Sequence, residues 1–149
     1  RWAGQTRSVS TIKSYELCGK TYERNFHIAA DEPTDILGTD TAPNPQELLM
    51  AALNACMTVG YVAIAASKGI TVNKLEINTT GELDLRGFLG LDETVNPGYD
   101  EIEYSVFIDA DATPEQLEEI HNAVIQTSPN FANLSRAIRM KPKLVVVQK

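Results

Sequence analysis

Cysteine and histidine are both scarce in this sequence: Cys18, Cys56, His27 and His121 are all it has in 149 residues. Two cysteines are too few for a disulfide framework, and neither histidine has ligand-like spacing to a cysteine or carboxylate, so no metal and no cofactor are expected. Basic residues are also few, 13 against 20 acidic ones for a net charge of -7, and they are scattered. That excludes the clustered Lys and Arg needed to neutralise phosphates, so no nucleic acid partner is expected. Glycine-rich phosphate loops, internal repeats and low-complexity segments are missing, and no nucleophile-turn motif surrounds Cys56 to suggest a cysteine hydrolase. No signal-peptide pattern opens the sequence, and a reducing, cytoplasmic setting is the expectation. The length fits one domain, 1–149.

The longest apolar run, Leu48 to Ala66, is a poor membrane span because it is rich in alanine, contains Asn54 and Thr58, and is flanked by Glu47 and Lys68. It reads instead as a core helix. Asn44 fits its N-cap, Pro45 its first turn and Glu47 the return partner of a capping box, while Lys68-Gly69 ends it, so the helix should cover Pro45 to Ser67. Ala52, Cys56, Gly60 and Ala63 recur along it at three- and four-residue spacing. This small-residue stripe allows close approach of a packing element.

Around that helix the pattern is mostly β. Ser8–Leu17 and Thr21–Ala30 are strand-like and meet at a Cys18-Gly19-Lys20 turn. Val72–Leu85 alternates, with Leu75, Ile77, Thr79, Leu83 and Leu85 on one face, and Ile102, Tyr104, Val106 and Ile108 mark another strand. The apolar stretch between them, with Phe88 and Leu91, either covers a pocket or tucks under its own loop. Thr113-Pro114-Glu115-Gln116 opens a second capped helix with Leu117, Ile120, Val124 and Ile125 on its apolar face, ending near Thr127 because Pro129 disfavours helical Ser128. Ser128-Pro129 caps a short helix through Arg136, and Leu144–Val147 is a final β-forming run. The order is α+β rather than a βαβ repeat.

A cysteine on such a helix is by default a small inert hydrophobe, and a reactive one needs a positive charge beside it to hold a thiolate. Gly38-Thr-Asp-Thr-Ala-Pro-Asn44-Pro45-Gln-Glu47-Leu-Leu-Met-Ala-Ala-Leu-Asn-Ala-Cys56 resembles the marker segment of the OsmC and organic hydroperoxide resistance superfamily. Trp2–Arg7 resembles that family's opening strand, Pro97-Gly98-Tyr99 its approach to a later strand, and Ser128-Pro129 its second cysteine motif. The resemblance implies an OsmC-like fold, with antiparallel sheets wrapped around long central helices in an intertwined homodimer. It also implies a thiol-dependent peroxidase acting on organic or inorganic hydroperoxides, with a thiol reductant as second partner. Cys56 is then the peroxidatic cysteine and Arg7 the activating arginine, with an exposed strand residue as the lesser reading of Arg7.

Two positions depart from the family pattern. Its active-site glutamate falls on Gln46, which can accept a hydrogen bond from Arg7 but carries no charge. Helical geometry separates the neighbours independently: at about 100° per residue Gln46 lies roughly 80° around the axis from Cys56 and Glu47 roughly 180°, so Glu47 is better explained as a cap. Ten residues of helix also hold Gln46 roughly 15 Å along the axis from Cys56, so a shared site needs a second subunit, its helix resting on the small-residue stripe. The second departure is Ser128, which stands where the resolving cysteine would be and cannot form a disulfide. Capping accounts for Ser128 on its own, and Cys18 in its turn reads as a surface thiol. A one-cysteine cycle with an external thiol is what remains. The alternative is a non-catalytic homologue that binds a small hydrophobic ligand in an interface pocket, with Cys56 kept as core.

Overall fold

The computed structural model describes residues 1–147. The chain divides into two compact units, Arg1–Ala51 and a second that begins at Ala52, with the boundary inside the long helix.

In the first unit, strands β1 (Ser8–Leu17) and β2 (Lys20–Ala30) form an antiparallel hairpin. Cys18 and Gly19 both have positive φ, 51° and 74°, which makes a two-residue turn whose twist matches the strands. Cys18 is exposed there. Tyr15 and Tyr22 face each other across the ladder and stack at 4.9 Å. Residues before β1 do not make the expected opening strand. Trp2 bridges Ser8 and the chain reverses at Gly4-Gln5, closed by Arg7 N–H donating to Gly4 O at 2.9 Å. The loop after β2 is gathered on the buried carboxylate of Asp31, which accepts from the hydroxyls of Thr6, Thr39 and Thr41 and from the amides of Glu32, Thr39 and Thr41. These donors, the Thr39 hydroxyl first, hold Asp31 well below the usual carboxylate range.

Helix α1 runs Pro45–Ser67, the span its caps foretell. In the second unit, β3 (Val72–Thr80) and β4 (Glu103–Ala110) pair antiparallel, with Leu75 opposite Ile108 and Ile77 opposite Val106. Helix α2 (Leu85–Phe88), helix α3 (Pro114–Thr127) and helix α4 (Pro129–Leu134) complete the elements. One face of the sheet and one face of α3 meet α1 in a core of Leu53, Met57, Tyr61, Ala65, Ile70, Ile120 and Val124. Each larger side chain among them contributes about 1.5–3 kcal/mol by leaving water. By length and composition alone α1 could cross a membrane, but its Leu53, Met57, Tyr61 and Ala65 are buried in this core.

Two expectations are corrected and one open alternative is decided. Strand β3 stops at Thr80, and Leu85 instead starts α2, because the Asp84 carboxylate caps it by accepting from Arg86 N–H. Phe88 and Leu91 are 52% and 74% exposed, so they do not tuck under their loop. Leu144–Val147 is not a strand but exposed chain without regular structure.

Candidate active site

Helix α1 is anchored at its start by a reciprocal cap. Asn44 Oδ1 accepts from the amides of Gln46 and Glu47, both at 2.9 Å, and Glu47 Oε2 accepts from Asn44 N–H at 2.7 Å. Glu47 is thereby occupied as a cap, while Gln46 is exposed beside it. Eleven positions after Pro45, Cys56 is a half-buried free thiol.

Within the chain, α3 and α4 approach the small-residue stripe of α1 around Cys56 and Gly60, while the side chains of Ala52 and Ala63 stay exposed. A Cβ at Gly60 would lie 3.2 Å from Val124 Cγ1, so glycine is what lets α3 approach. Asn130 Nδ2 donates to Ala52 O at 2.8 Å at the other end. Between them, Ser128 Oγ donates to Cys56 Sγ at 3.4 Å. Ser128 is the hinge between the two helices: its N–H closes α3 on Val124 O at 2.8 Å, and its Oγ caps α4 by accepting from Phe131 N–H at 3.3 Å. A cap-forming serine before a proline was legible in the sequence; that it rests against the Cys56 sulfur was not.

Asn54, two residues before Cys56, ties α1 to β3 by donating to Ile77 O at 3.2 Å and accepting from Thr79 Oγ1 at 2.5 Å. Sequence reasoning noted Asn54 only as unsuitable for a membrane. Its signal was an amide isolated within an apolar run, which when buried must find partners. A cavity of about 260 Å³ opens next to this region, lined by Leu53, Tyr104, Phe131 and Leu134, with Asp100 and Glu101 at hand. Leu53 lies one helical turn before Cys56, and Phe131 meets Tyr104 edge-on at 6.3 Å. Further along α1, buried Tyr61 hydrogen-bonds His121 Nδ1. Burial first, and then nearby Tyr104, push the Tyr61 phenol up to about 12.

The structure therefore joins Cys56 to Ser128, and Gln46 to the Asn44–Glu47 cap. Arg7 is exposed at the foot of the Gly4-Gln5 turn, immediately before β1. Arg7 and Gln46 belong to the first unit, Cys56 and Ser128 to the second. A half-buried thiol within reach of solvent can be oxidised or alkylated.

The family model described as OsmC-like protein matches residues 38–143. No curated protein matches the chain. Among solved structures, the chain is similar to an OsmC-like protein from Mycoplasma pneumoniae, with TM-score 0.64 and 21% identity over 89% of this chain and 88% of that one. It is also similar to an OsmC-like hydroperoxide resistance protein from Jannaschia sp., with TM-score 0.56 and 17% identity over 97% and 88%. An organic hydroperoxide resistance protein from Legionella pneumophila gives TM-score 0.54 and 14% identity over 89% and 91%. At these identities the likeness is one of fold.

Proposed function

Because the chain belongs to the OsmC-like protein family, we propose that it is a thiol-dependent peroxidase that reduces hydroperoxides through Cys56. The observation that carries this reading is the 3.4 Å contact between Ser128 and Cys56. The position that the sequence resemblance assigns to a second cysteine lies at the Cys56 sulfur, as a disulfide-forming pair would require. Cys56 is also only half-buried, so a peroxide can reach it.

In this reading the Cys56 thiolate attacks one peroxide oxygen, the S–O bond forms as the O–O bond breaks, and the departing alkoxide takes a proton to become an alcohol. Sulfur is oxidised to a sulfenic acid by the two electrons the peroxide gains. The resemblance gives Arg7 the part of the positive charge that favours thiolate and alkoxide, and Gln46, brought by the second subunit's helix, steadies its guanidinium by a single accepted hydrogen bond. An external thiol completes the cycle. The active form is a homodimer of single-domain chains in the cytoplasm. Dimerisation is supported by the exposed apolar residues of α1, Val59 and Val62 at 68% and 49%, and by the unpaired Leu144–Val147 run.

The apolar cavity beside Leu53 and Phe131 favours a second reading, a non-catalytic homologue that binds a small hydrophobic ligand. Stopped-flow oxidation of the reduced protein by hydrogen peroxide and by a bulky organic hydroperoxide separates the two, with Cys56→Ser and Arg7→Ala alongside. Peroxidase chemistry requires the wild type to outpace a free thiol at the same pH and both variants to lose that advantage. A wild type no faster than a free thiol leaves the binding reading.

A further inference from the structure

Ser128 is 4% exposed, and its hydroxyl is committed on both sides. The oxygen accepts the Phe131 amide hydrogen at 3.3 Å while the hydroxyl proton goes to the Cys56 sulfur at 3.4 Å. Its backbone is held too, by the N–H bond to Val124 O on one side and by Pro129, with its fixed φ, on the other. Swinging the hydroxyl away from Cys56 would therefore cost the α4 cap. Capping needs only the oxygen, so the hydroxyl proton is left free to point at the sulfur. A hydroxyl that already accepts one hydrogen bond donates a stronger one, and a donor serves an anion better than a neutral thiol.

We infer that Ser128 is a catalytic residue: its hydroxyl donates to the Cys56 thiolate, and afterwards to the sulfenate, in place of a resolving cysteine. The inference rests on the peroxidase reading of Cys56 and deepens it. With no sulfur at position 128 the sulfenic acid stays open to an incoming thiol, R′SH. That thiol displaces water to give the mixed disulfide Cys56–S–S–R′, and a second R′SH releases the Cys56 thiol and R′S–SR′. The overall exchange is one ROOH and two R′SH for one ROH, one water and one disulfide. The reductant class is thus a small or exposed thiol that can approach Cys56.

The test uses alkylation by iodoacetamide, which needs no peroxide, in a Cys18→Ser background so that Cys56 is the sole thiol. A donor whose loss lowers the thiolate population about tenfold also restrains thiolate nucleophilicity, by about threefold at the usual Brønsted slope. Ser128→Ala should therefore alkylate about threefold more slowly near pH 6.5 yet about threefold faster above about pH 10, where thiols are fully ionised. Ser128→Thr, which keeps a hydroxyl, should restore the wild-type profile. Ser128→Gly caps a helix nearly as well as serine and reports the same reversal if alanine fails to fold. Profiles that superimpose on the wild type, with only the thermal midpoint lowered, overturn the inference and leave Ser128 as a cap. A reversed profile beside peroxide oxidation no faster than a free thiol keeps the donor and removes only the peroxidase reading.

Discussion

Replacing Ser128 with cysteine puts a second sulfur where a hydroxyl oxygen already lies 3.4 Å from the Cys56 sulfur. A disulfide needs a sulfur separation of about 2.05 Å, and the longer C–S bond and small side-chain rotations can close the difference. Because 72 residues separate the two positions, the bridge would close a long loop. The chain-entropy relation gives about 4 kcal/mol for a loop of that length. For a chain of this size that corresponds to a rise of about 10 °C in the thermal midpoint. The reduced variant has a weaker cap and should be about 0.5–2 kcal/mol less stable than the wild type. In a Cys18→Ser background, oxidation by diamide or by one equivalent of hydroperoxide should yield one disulfide-linked peptide pair joining positions 56 and 128 by mass spectrometry. The thermal midpoint should then fall when reductant is added. If both thiols still alkylate after oxidation, or the oxidised and reduced midpoints coincide, then α3 and α4 do not hold position 128 against Cys56.

Two further outcomes test the framework around the site. Asp31→Asn should lower the urea midpoint at neutral pH, because the threonine hydroxyls and amides hold the native carboxylate below its ordinary 3.8. The depressed value means that the wild type keeps this stabilisation above the ordinary aspartate range and loses it as pH falls below it, so urea midpoints should converge toward acid and diverge at neutrality. Asn54→Ala should cost about 1–3 kcal/mol in chemical denaturation, since it leaves Ile77 O and Thr79 Oγ1 without their partner. An unchanged midpoint for either variant would refute the contacts assigned to it.

The helices were legible because their boundaries are written locally. Asn44, Pro45 and Glu47 announce α1, and Thr113 and Gln116 make the reciprocal cap of α3 found in the structure. The Cys18-Gly19 turn and the alternation of Tyr104, Val106 and Ile108 were equally local. The family assignment was legible from Gly38 to Cys56, inside the segment that the family model matches. Strand ends were not. Leu83 and Leu85 continue the alternation of β3, yet the Asp84 cap turns the chain into α2. Leu144–Val147 has the composition of a strand, but a strand exists only where a partner's N–H and C=O groups meet it. Composition carries no information about that partner.

The candidate site divides the same way. Helical angle set Glu47 apart from Gln46, while the family resemblance marked Cys56 as the cysteine to watch and Ser128 as the position that lacks a second sulfur. The small-residue stripe foretold close packing, with a second subunit's helix as the expected occupant. Within the chain, tertiary structure brings α3 and α4 to it, through Val124 at Gly60 and Asn130 at Ala52, and so places Ser128 at the Cys56 sulfur. That contact joins residues 72 positions apart. No local propensity encodes it, because it arises only when two helices, each formed for its own reasons, bury their apolar faces together.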